Sequence, residues 1–408
     1  MRTPLLMLAA LVATAVTPVG SQSASLTLGL PGTGNSAPWL ASSGSLVALA
    51  WGAGIGQQAD VYVAVSRNGA RTFSDPVRVN ASAGEVRLNG EIAPRVALAA
   101  RDGREPEIVV LWNARGTPNA IKITRSTDGG RTFQAPEALQ GPGAEGDRGW
   151  HALALDAAGQ PHAVWLDHRG LAAAKRDGAS HQAHDGMALA QRSSLYYAAP
   201  GLAPARALFA GVCYCCKTAM AVGPKGELFA AWRHVFAGNL RDMAFTSSRD
   251  GGRTFSPMAR VHEDGWAING CPDDGPAMAV DAAGAVHLVW PTVPGGTEGA
   301  LHYAVAADGR RFAAPMRVAT LGGPKPSHPQ IAMRDGRVFV AWDEVRNGIR
   351  SAALREVTGG RQGEIVTLGA PGATSSYPVL AGTASGLVAA WTDGTGAESR
   401  IGVRVITR

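Results

Sequence analysis

Seven apolar stretches end in tryptophan: SLVALAW (45–51), EIVVLW (107–112), PHAVW (161–165), ELFAAW (227–232), AVHLVW (285–290), RVFVAW (337–342) and GLVAAW (386–391). These tryptophans lie 49 to 67 residues apart. Small and branched residues alternate within the stretches and glycine turns bound them, which predicts strands rather than helices. One aromatic per repeat, at a period slightly above the ~40–45 residues of a WD40 blade, predicts a β-propeller.

Counting the tryptophan-ended strands gives a single all-β propeller of seven blades, with six blades as the alternative. The last repeat has no outer strand of its own, whereas SLTLGL (25–30) forms a strand before the first repeat. Placing that N-terminal strand in the last blade closes the ring and removes exposed sheet edges. We therefore expect one propeller domain over residues 25–408.

The N-terminus predicts export. Arg2 precedes an apolar stretch from Leu5 to Val16, and small and polar residues follow as far as Ala24. This order is typical of a secretory signal peptide, which we assign to residues 1–24. Later in the chain there is no run of eighteen apolar residues, so no membrane span is predicted in the mature protein. The expected location is periplasmic or secreted.

Composition narrows the classes of partner. Charged residues make up 17% of the chain and hydrophobic residues 46%, which excludes a disordered tail and a coiled coil. The net charge of +6 is thinly spread, so nucleic acid is not a predicted partner. We expect a monomer that binds a small ligand, a metal ion or a glycan.

A second repeat follows the tryptophans at a fixed offset. STDGGRTF (126–133) and SRDGGRTF (248–255) are nearly identical, SRNGARTF (66–73) is a close variant, and AADGRRF (306–312) is shortened. The acidic or amide side chain and the serine of such a segment are expected to hydrogen-bond to the backbone of a hairpin turn and stabilise it. We therefore predict that these residues are structural and not catalytic. The third residues lie 16 to 18 positions after the preceding tryptophan and are Asn68, Asp128, Asp250 and Asp308.

These turns resemble the Asp-box, or BNR repeat, of sialidase-like propellers. The resemblance implies that the turns lie on the outer rim, away from the active site. It also implies an arginine triad that grips the substrate carboxylate, a tyrosine nucleophile assisted by a glutamate, and an aspartate acid–base. A neutral tyrosine hydroxyl suits attack on an anionic sugar that would repel a carboxylate. The residues so implied are Tyr377, Glu344, Asp167, Arg233, Arg346 and Arg148.

The sequence departs from the sialidase pattern in one respect. The family's N-terminal Phe/Tyr-Arg-Ile-Pro motif is missing, because the matching strand reads SAPWLAS (36–42) and contains no arginine. The nearest substitute is Arg95, in the second repeat. The resemblance therefore supports the fold better than the activity.

All four cysteines lie in two loops, Cys213-x-Cys215-Cys216 and Cys271, each before the first strand of a blade. Aligning TAMAV (218–222) with PAMAV (276–280) predicts that the two loops are neighbours. Disulfides are the default in an exported protein. However, the Cα atoms of adjacent cysteines are about 3.8 Å apart, below the ~4.4–6.8 Å that a disulfide prefers.

Two arrangements of the cysteines remain open. One has a Cys213–Cys271 or Cys216–Cys271 bridge together with a strained second pair. In the other, thiolates gather on a soft metal ion, copper or zinc, with His234 as a further ligand.

We expect the ligand site near the propeller axis, on the face where the innermost strands begin. The favoured interpretation is a Cys-rich axial site that binds a soft metal ion or another ligand. The alternatives are an exo-α-sialidase or related glycoside hydrolase, and a non-catalytic glycan- or protein-binding propeller stapled by disulfides. The polar neighbours expected to line the site are Lys217, Trp266, Asp273, Asp274, His168 and Arg148.

Overall fold

Seven four-stranded antiparallel sheets make up the part of the chain that the computed structural model describes, residues 25–140, 145–176, 186–199 and 204–407. Blade 1 consists of β2 (Gly34–Ser43), β3 (Leu46–Ile55), β4 (Gln58–Ser66) and β5 (Val77–Arg78), and blade 2 of β6 (Arg95–Arg101), β7 (Arg104–Ala114), β8 (Ala120–Ser126) and β9 (Glu137–Ala138). Blade 3 consists of β10 (Arg148–Leu155), β11 (Pro161–Asp167), β12 (Ser194–Ala198) and β13 (Arg206–Ala210), and blade 4 of β14 (Ala219–Val222), β15 (Leu228–Arg233), β16 (Met243–Ser248) and β17 (Ala259–Arg260). Blade 5 consists of β18 (Ala277–Val280), β19 (Val286–Thr292), β20 (Ala300–Ala306) and β21 (Met316–Val318), and blade 6 of β22 (Ser327–Arg334), β23 (Arg337–Arg346), β24 (Ile349–Glu356) and β25 (Val366–Thr367). Blade 7 consists of β26 (Ser375–Thr383), β27 (Gly386–Asp393), β28 (Arg400–Ile406) and, from the N-terminus, β1 (Leu26–Leu28).

The N-terminal strand closes the ring. Strand β1 pairs antiparallel with β28, with Leu26 opposite Val403 and Leu28 opposite Ile401. The prediction of seven blades closed by an N-terminal strand is therefore confirmed, and the six-blade alternative is wrong. Chain termini that share one sheet leave no open blade edge between the first and last repeats.

Each repeat tryptophan packs against the preceding blade. Trp232 of blade 4 belongs to one apolar cluster with Val164 and Leu195 of blade 3. Trp51 of blade 1 packs in the same way with Val388 of blade 7. Burial of so large a side chain contributes several kcal/mol, since truncating a buried tryptophan costs about 3–5 kcal/mol. Seven such contacts bind the sheets face to face around the ring, through Trp51, Trp112, Trp165, Trp232, Trp290, Trp342 and Trp391.

The acidic turns join the third and fourth strands of their blades. Asp128 Oδ1 accepts hydrogen bonds from the amides of Thr132 at 3.0 Å and Arg131 at 3.1 Å, and Ser126 Oγ accepts one from the Gly130 amide at 2.9 Å. The hydrogen bonds from Thr132 hold the pKa of Asp128 well below its usual range. Asn68, Asp250 and Asp308 accept backbone amides of their own turns in the same manner. Because the third strand runs away from the face where the first strand begins, these turns lie on the opposite face.

Two short helices interrupt blade 3 between its second and third strands. They are α1 (Arg169–Arg176) and α2 (Gly186–Gln191), and residues 177–185 between them lie outside the described part of the chain. The predicted signal peptide, residues 1–24, also lies outside it. None of the helices within the described ranges has the length and apolar character needed to span a membrane.

A buried asparagine holds the closure together. Asn35 is fully buried, and its Oδ1 accepts hydrogen bonds from the Leu30 amide at 2.8 Å and from the indole of Trp51 at 3.0 Å. Its Nδ2 donates to the carbonyl oxygens of Leu30 at 3.1 Å and Ser399 at 3.1 Å. This single side chain therefore joins the N-terminal segment, blade 1 and the last blade.

Replacing Asn35 with alanine is expected to lower the free energy of unfolding by about 3 kcal/mol. The reason is that the Leu30 amide and the Trp51 indole would each lose a buried acceptor, at roughly 1–3 kcal/mol per group. Urea unfolding followed by tryptophan fluorescence measures the difference. Ser43→Ala, at the exposed end of β2, is the control and is expected to change stability by less than about 0.5 kcal/mol. Equal midpoints for Asn35→Ala and the control would contradict the assignment.

Candidate functional site

The site face is the face on which innermost strands begin and second strands end. Four innermost strands, β2, β10, β22 and β26, carry a register shift close to this face. At each shift one residue has a φ between 51° and 55°, a left-handed conformation that is costly for side chains other than glycine. Bulges of this kind re-aim side chains next to binding sites. The residues are Ala37, Trp150, His328 and Tyr377.

A cavity of about 170 Å³ lies on the axis and is lined by residues of all seven blades. Arg95 lines it and is 2% exposed, with its guanidinium 3.8 Å from the centre of the Trp39 ring. Its Nη1 donates to the Ala93 carbonyl at 3.1 Å, whereas its Nη2 has no hydrogen-bond partner among the described residues. Burial lowers the pKa of Arg95 to about 9.

The cysteines lie beside this cavity, in the loops before β14 and β18. Cys215 and Cys271 form a disulfide, and Cys213 and Cys216 are buried free thiols. The Cys213 and Cys216 sulfur atoms are 3.7 Å apart, and each lies 4.0 Å from the Cys215 sulfur. The two loops are thus neighbours, as predicted, and one disulfide is present.

The disulfide partner differs from both predicted pairings, because Cys271 bonds to Cys215 rather than to Cys213 or Cys216. The two free thiols face one another instead, and the amide of Asp274 donates to Cys216 Sγ at 3.5 Å. The neighbouring loop therefore contacts two sulfurs of the first loop, Cys215 through the disulfide and Cys216 through this hydrogen bond. The free pair has the spacing of a C-x-x-C dithiol, a feature that the sequence already contained.

The charge on the free dithiol falls on one sulfur. The hydrogen bond from Cys216, helped by the guanidinium groups of Arg241 and Arg233, outweighs burial and lowers the pKa of Cys213 to about 7. Burial, together with the charge on Cys213, raises the pKa of Cys216. Arg241 Nη1 lies 3.4 Å from Cys213 Sγ. Cys213 is therefore the sulfur that carries the charge when the pair loses one proton.

Glu91 connects three blades beneath the cysteine loop. It belongs to a short 3₁₀ turn before β6 and is 2% exposed. Its Oε2 accepts the amides of Lys217 and Gly275, each at 2.9 Å, and its Oε1 lies 3.2 Å from Lys217 Nζ. Lys217 Nζ also donates to the Gly275 carbonyl at 3.1 Å. The carboxylate thus fixes the backbone directly after Cys216.

A second buried group lies across the axis, around Asp343. Asp343 accepts the Tyr377 amide at 2.7 Å and the His328 Nδ1–H at 2.9 Å, and Arg350 also bonds to it. The rings of His328 and Tyr377 are 4.1 Å apart. Gly90 makes room for the tyrosine, since a Cβ at that position would lie 1.7 Å from its ring. Burial, with Asp343 and Glu91 nearby, raises the pKa of Tyr377 to about 12, so its hydroxyl stays protonated.

The other residues implied by the sialidase resemblance do not gather around Tyr377. The Asp167 carboxylate contacts Arg148, Arg169 and the Trp165 indole within blade 3. Arg233 donates to backbone carbonyl oxygens, among them those of Asp274 and Pro291.

Glu344 and Arg346 are also placed apart from the tyrosine. Glu344 accepts the Gly323 amide at 3.2 Å, and Arg346 is exposed at the end of β23. The carboxylates whose charges act on Tyr377 are those of Asp343, Glu91 and Asp273.

Of the remaining residues predicted to line the site, some pack within the blades and others lie near the cysteines or the axis. Trp266 stacks beside the Arg233 guanidinium at 4.9 Å, and Asp274 Oδ1 accepts the His328 amide at 3.0 Å. Asp273 is exposed next to the disulfide. His168 packs on Trp150, and burial lowers its pKa to about 4.

His234 lies apart from the cysteine sulfurs. Its ring packs against those of Phe236 and Trp232, and burial lowers its pKa to about 4. Among the described residues, the sulfur atoms of Cys213, Cys215 and Cys216 lie within 4.8 Å of one another, and His234 does not belong to this group.

Sequence reasoning missed two residues that organise the site, Glu91 and Arg241. Glu91 lies four positions before Arg95, in the turn that precedes blade 2, and belongs neither to the cysteine loops nor to the repeated motifs. Arg241 lies between β15 and β16, nine positions after Trp232, and the same offset after Trp391 also holds an arginine, Arg400, so position alone does not mark Arg241 as a site residue. Its guanidinium is positioned by the Ile268 carbonyl and by Asn239 Oδ1 as well as by Cys213.

Solved structures share this architecture. A protein of unknown function from Dyadobacter fermentans is 14% identical over 95% of this chain and 99% of its own, with a TM-score of 0.55. The Hadza microbial sialidase Hz136 is 13% identical over 89% and 74%, with a TM-score of 0.51. An ulvan lyase of polysaccharide lyase family PL25 is 10% identical over 94% and 96%, with a TM-score of 0.58. The chain shares the overall propeller fold of these structures.

At such low identity these similarities establish the propeller fold and leave the chemistry to the site. No protein-family model and no curated protein matches the chain.

The buried His328–Asp343 pair predicts how stability depends on pH. Burial opposes a charged imidazole, but the Asp343 carboxylate outweighs it and raises the pKa of His328. Protonated His328 therefore contributes its full stabilisation below about pH 6.5, the pKa of histidine in the unfolded chain. This contribution is lost as the pH rises through the higher pKa of the folded state. His328 also lowers the pKa of Asp343, although burial opposes this shift. The stabilisation that ionised Asp343 contributes is therefore lost only in acid.

We expect unfolding free energy to fall above pH 6.5, with a slope of up to about 1.4 kcal/mol per pH unit from this group. His328→Asn removes the titrating ring and suits the left-handed backbone at this position. The variant is expected to lose this part of the slope in urea unfolding measured from pH 5.5 to 9. Ser327→Ala, next to it, should keep the slope. An unchanged slope in His328→Asn would show that the imidazole is not the titrating group.

Proposed function

We propose that this chain is an exported propeller that binds a soft metal ion, copper(I) or zinc(II), through its cysteine loops. The observation that carries the proposal is the triangle of sulfur atoms formed by Cys213, Cys215 and Cys216, with edges of 3.7, 4.0 and 4.0 Å. Cys271, on the neighbouring loop, is the fourth sulfur. Thiolate ligands select copper(I) and zinc(II) among the biological metals.

The sulfur separations fit either ion. A zinc–sulfur bond of about 2.3 Å places tetrahedral sulfur ligands about 3.8 Å apart. Three sulfur atoms around one ion in a plane, at the same bond length of about 2.3 Å, lie about 4.0 Å apart. The triangle therefore needs shifts of only a few tenths of an ångström to hold a metal. The coordination number separates the two ions, since zinc would take Cys271 as well.

Charge balance supports the same site. Three thiolates with copper(I), or four with zinc(II), carry a net charge of −2. The guanidinium groups of Arg241 and Arg233 both act on these sulfurs, and both side chains are buried. Two buried positive charges beside the loop therefore offset a charge that would be costly in an apolar interior.

Metal binding requires reduction of the Cys215–Cys271 disulfide. A dithiol reductant delivers two electrons and two protons, becomes a disulfide itself, and leaves both cysteines as thiols. Cys271 is exposed whereas Cys215 is buried, so the reductant meets the Cys271 sulfur first. The thiols then lose their protons when the ion binds.

The reduced protein is expected to bind one copper(I) or zinc(II) ion, and the oxidised protein none at the cysteines. Metal content by mass spectrometry and thiol titration on the same sample measure this. Because it removes one corner of the triangle, Cys216→Ser is expected to lower affinity more than the ~10–100-fold typical of an outer-shell change. Cys271→Ser keeps the triangle and cannot form the disulfide, so it should bind copper(I) without reduction and zinc(II) weakly.

A reduced protein with four free thiols and no bound metal would refute the metal proposal. So would affinities for both ions that do not change in Cys216→Ser. Ser193→Ala, at a buried hydroxyl of blade 3, serves as the control for substitution within the same core.

A second candidate function is recognition or hydrolysis of an anionic sugar in the axial cavity. It is favoured by Arg95, whose Nη2 is buried at the cavity without a partner among the described residues. A carboxylate is the natural partner of such a guanidinium. Tyr377, beside His328, would be the nucleophile of a sialidase-type reaction.

A fluorogenic sialoside tests this second function. If the chain is a sialidase, Tyr377→Phe should abolish turnover, and Arg95→Met should raise KM because it removes the carboxylate partner. Glu344→Gln is the control, since Glu344 lies apart from Tyr377 and should leave turnover unchanged. Saturable binding without turnover would assign the cavity to glycan recognition, and no binding would exclude both forms of the candidate.

A further inference from the structure

A cluster of two histidines and one aspartate lies on the site face apart from the cysteines. His262 Nδ1 is 2.8 Å and His302 Nδ1 is 3.0 Å from the same oxygen of Asp264, its Oδ1. The three ligand atoms lie within 4.8 Å of one another, and the set shares no residue with the cysteine groups. His262 follows β17, and His302 belongs to β20.

We propose that His262, Asp264 and His302 form a binding site for a divalent transition-metal ion, with zinc(II) as the preferred ion. The site is independent of the cysteine proposal, because it needs no thiolate and no reduction step. Two imidazole nitrogens and one carboxylate oxygen are the donor set of three-ligand zinc sites. The same set, arranged on one face of an ion, also holds iron(II).

The distances suit an ion. Bonds of about 2.0–2.2 Å from a metal to nitrogen and oxygen place neighbouring ligand atoms about 2.8–3.5 Å apart, depending on the geometry. The observed 2.8 and 3.0 Å match the separation of about 2.8–3.1 Å that such bonds give at a ligand angle of 90°, and a tetrahedral ion would require the ligand atoms to move apart by about 0.5 Å. Without an ion, one carboxylate oxygen must accept hydrogen bonds from both imidazoles. An ion would satisfy all three groups at once.

Asp264 is held in place for such a role. Its side chain is 1% exposed, and its Oδ2 accepts the indole N–H of Trp290 at 2.7 Å. Its backbone carbonyl accepts the Gly295 amide at 3.0 Å. The indole therefore occupies one oxygen and leaves the other for the histidines, as outer-shell partners do in metal sites.

The site is open to solvent on one side. The His262 side chain is 39% exposed, whereas that of His302 is 12% exposed and packs on the ring of Trp290. Three protein ligands with an accessible side leave coordination positions for water or a substrate group. We therefore expect an exchangeable ion that a chelator removes without unfolding the propeller.

The test is calorimetric titration of zinc(II) into the full oxidised chain, with the Cys215–Cys271 disulfide intact. We expect one ion per chain, and at least a 100-fold loss of affinity in His262→Ala. His262 is partly exposed, so this variant should fold, which a circular dichroism melt checks. Asp264→Asn and His302→Gln should show the same loss.

Two controls make the result specific. Cys216→Ser should leave this affinity unchanged, which separates the site from the cysteines. His287→Gln, at a buried histidine of the same blade bonded to Tyr303, should also leave it unchanged. Cobalt(II) in place of zinc should give visible absorption bands without a thiolate charge-transfer band. Absence of zinc binding, binding unaffected by His262→Ala, or a thiolate band that disappears in Cys216→Ser would each overturn the proposal.

Discussion

Closure of the ring by β1 on β28 is the constraint on which the axial site depends. The buried polar groups on the axis come from blades far apart in sequence, with Glu91 in blade 2, Lys217 in blade 4 and Tyr377 in blade 7. The contacts of 2.9 and 3.2 Å between Glu91 and Lys217 exist only if the number of blades and the ring diameter are fixed. Asn35 adds hydrogen bonds at the seam between first and last blades, where only a three-residue strand supplies the pairing.

Within the closed ring, Glu91 determines the shape of the cysteine loop. Burying a carboxylate and an ammonium group costs solvation free energy that their attraction does not always recover. Here the carboxylate also accepts two backbone amides, those of Lys217 and Gly275, which follow the two cysteine loops. The buried charge therefore fixes backbone position. Because Lys217 directly follows Cys216 in the chain, fixing the Lys217 amide also restrains the position of Cys216 and its sulfur atom.

The fold could be predicted because its determinants repeat. Seven tryptophan-ended stretches specified the strands and the blade count, and the missing outer strand of the last repeat predicted that an N-terminal strand completes the last blade. The neighbouring cysteine loops followed from the same register, since TAMAV and PAMAV align. What does not repeat could not be read in this way. The contact of Arg241 with Cys213 and the choice of Cys215 as the partner of Cys271 both depend on side-chain direction.

Arg233 illustrates the same limit. Its position after a tryptophan-ended strand predicts a residue on the site face, and it does lie there. However, Arg233 is buried at the end of β15, with 1% of its surface exposed. Its guanidinium donates hydrogen bonds to backbone carbonyl oxygens of blade 4 and of the neighbouring blade 5. A pattern of charged residues on one face specifies which side of the molecule they occupy. Whether they face the cavity or the blade interface depends on packing that the pattern does not contain.

The disulfide and the proposed metal site would constrain the fold alike. The Cys215–Cys271 disulfide ties the start of blade 4 to the start of blade 5, and a metal ion held by sulfurs of both loops would tie the same two points. Cys213 and Cys216 already lie within 4.0 Å of the Cys215 sulfur, so exchange between the two states requires little movement of the backbone. The tryptophan-packed interfaces hold the blades together around the whole ring, whereas either linkage joins only two adjacent blades.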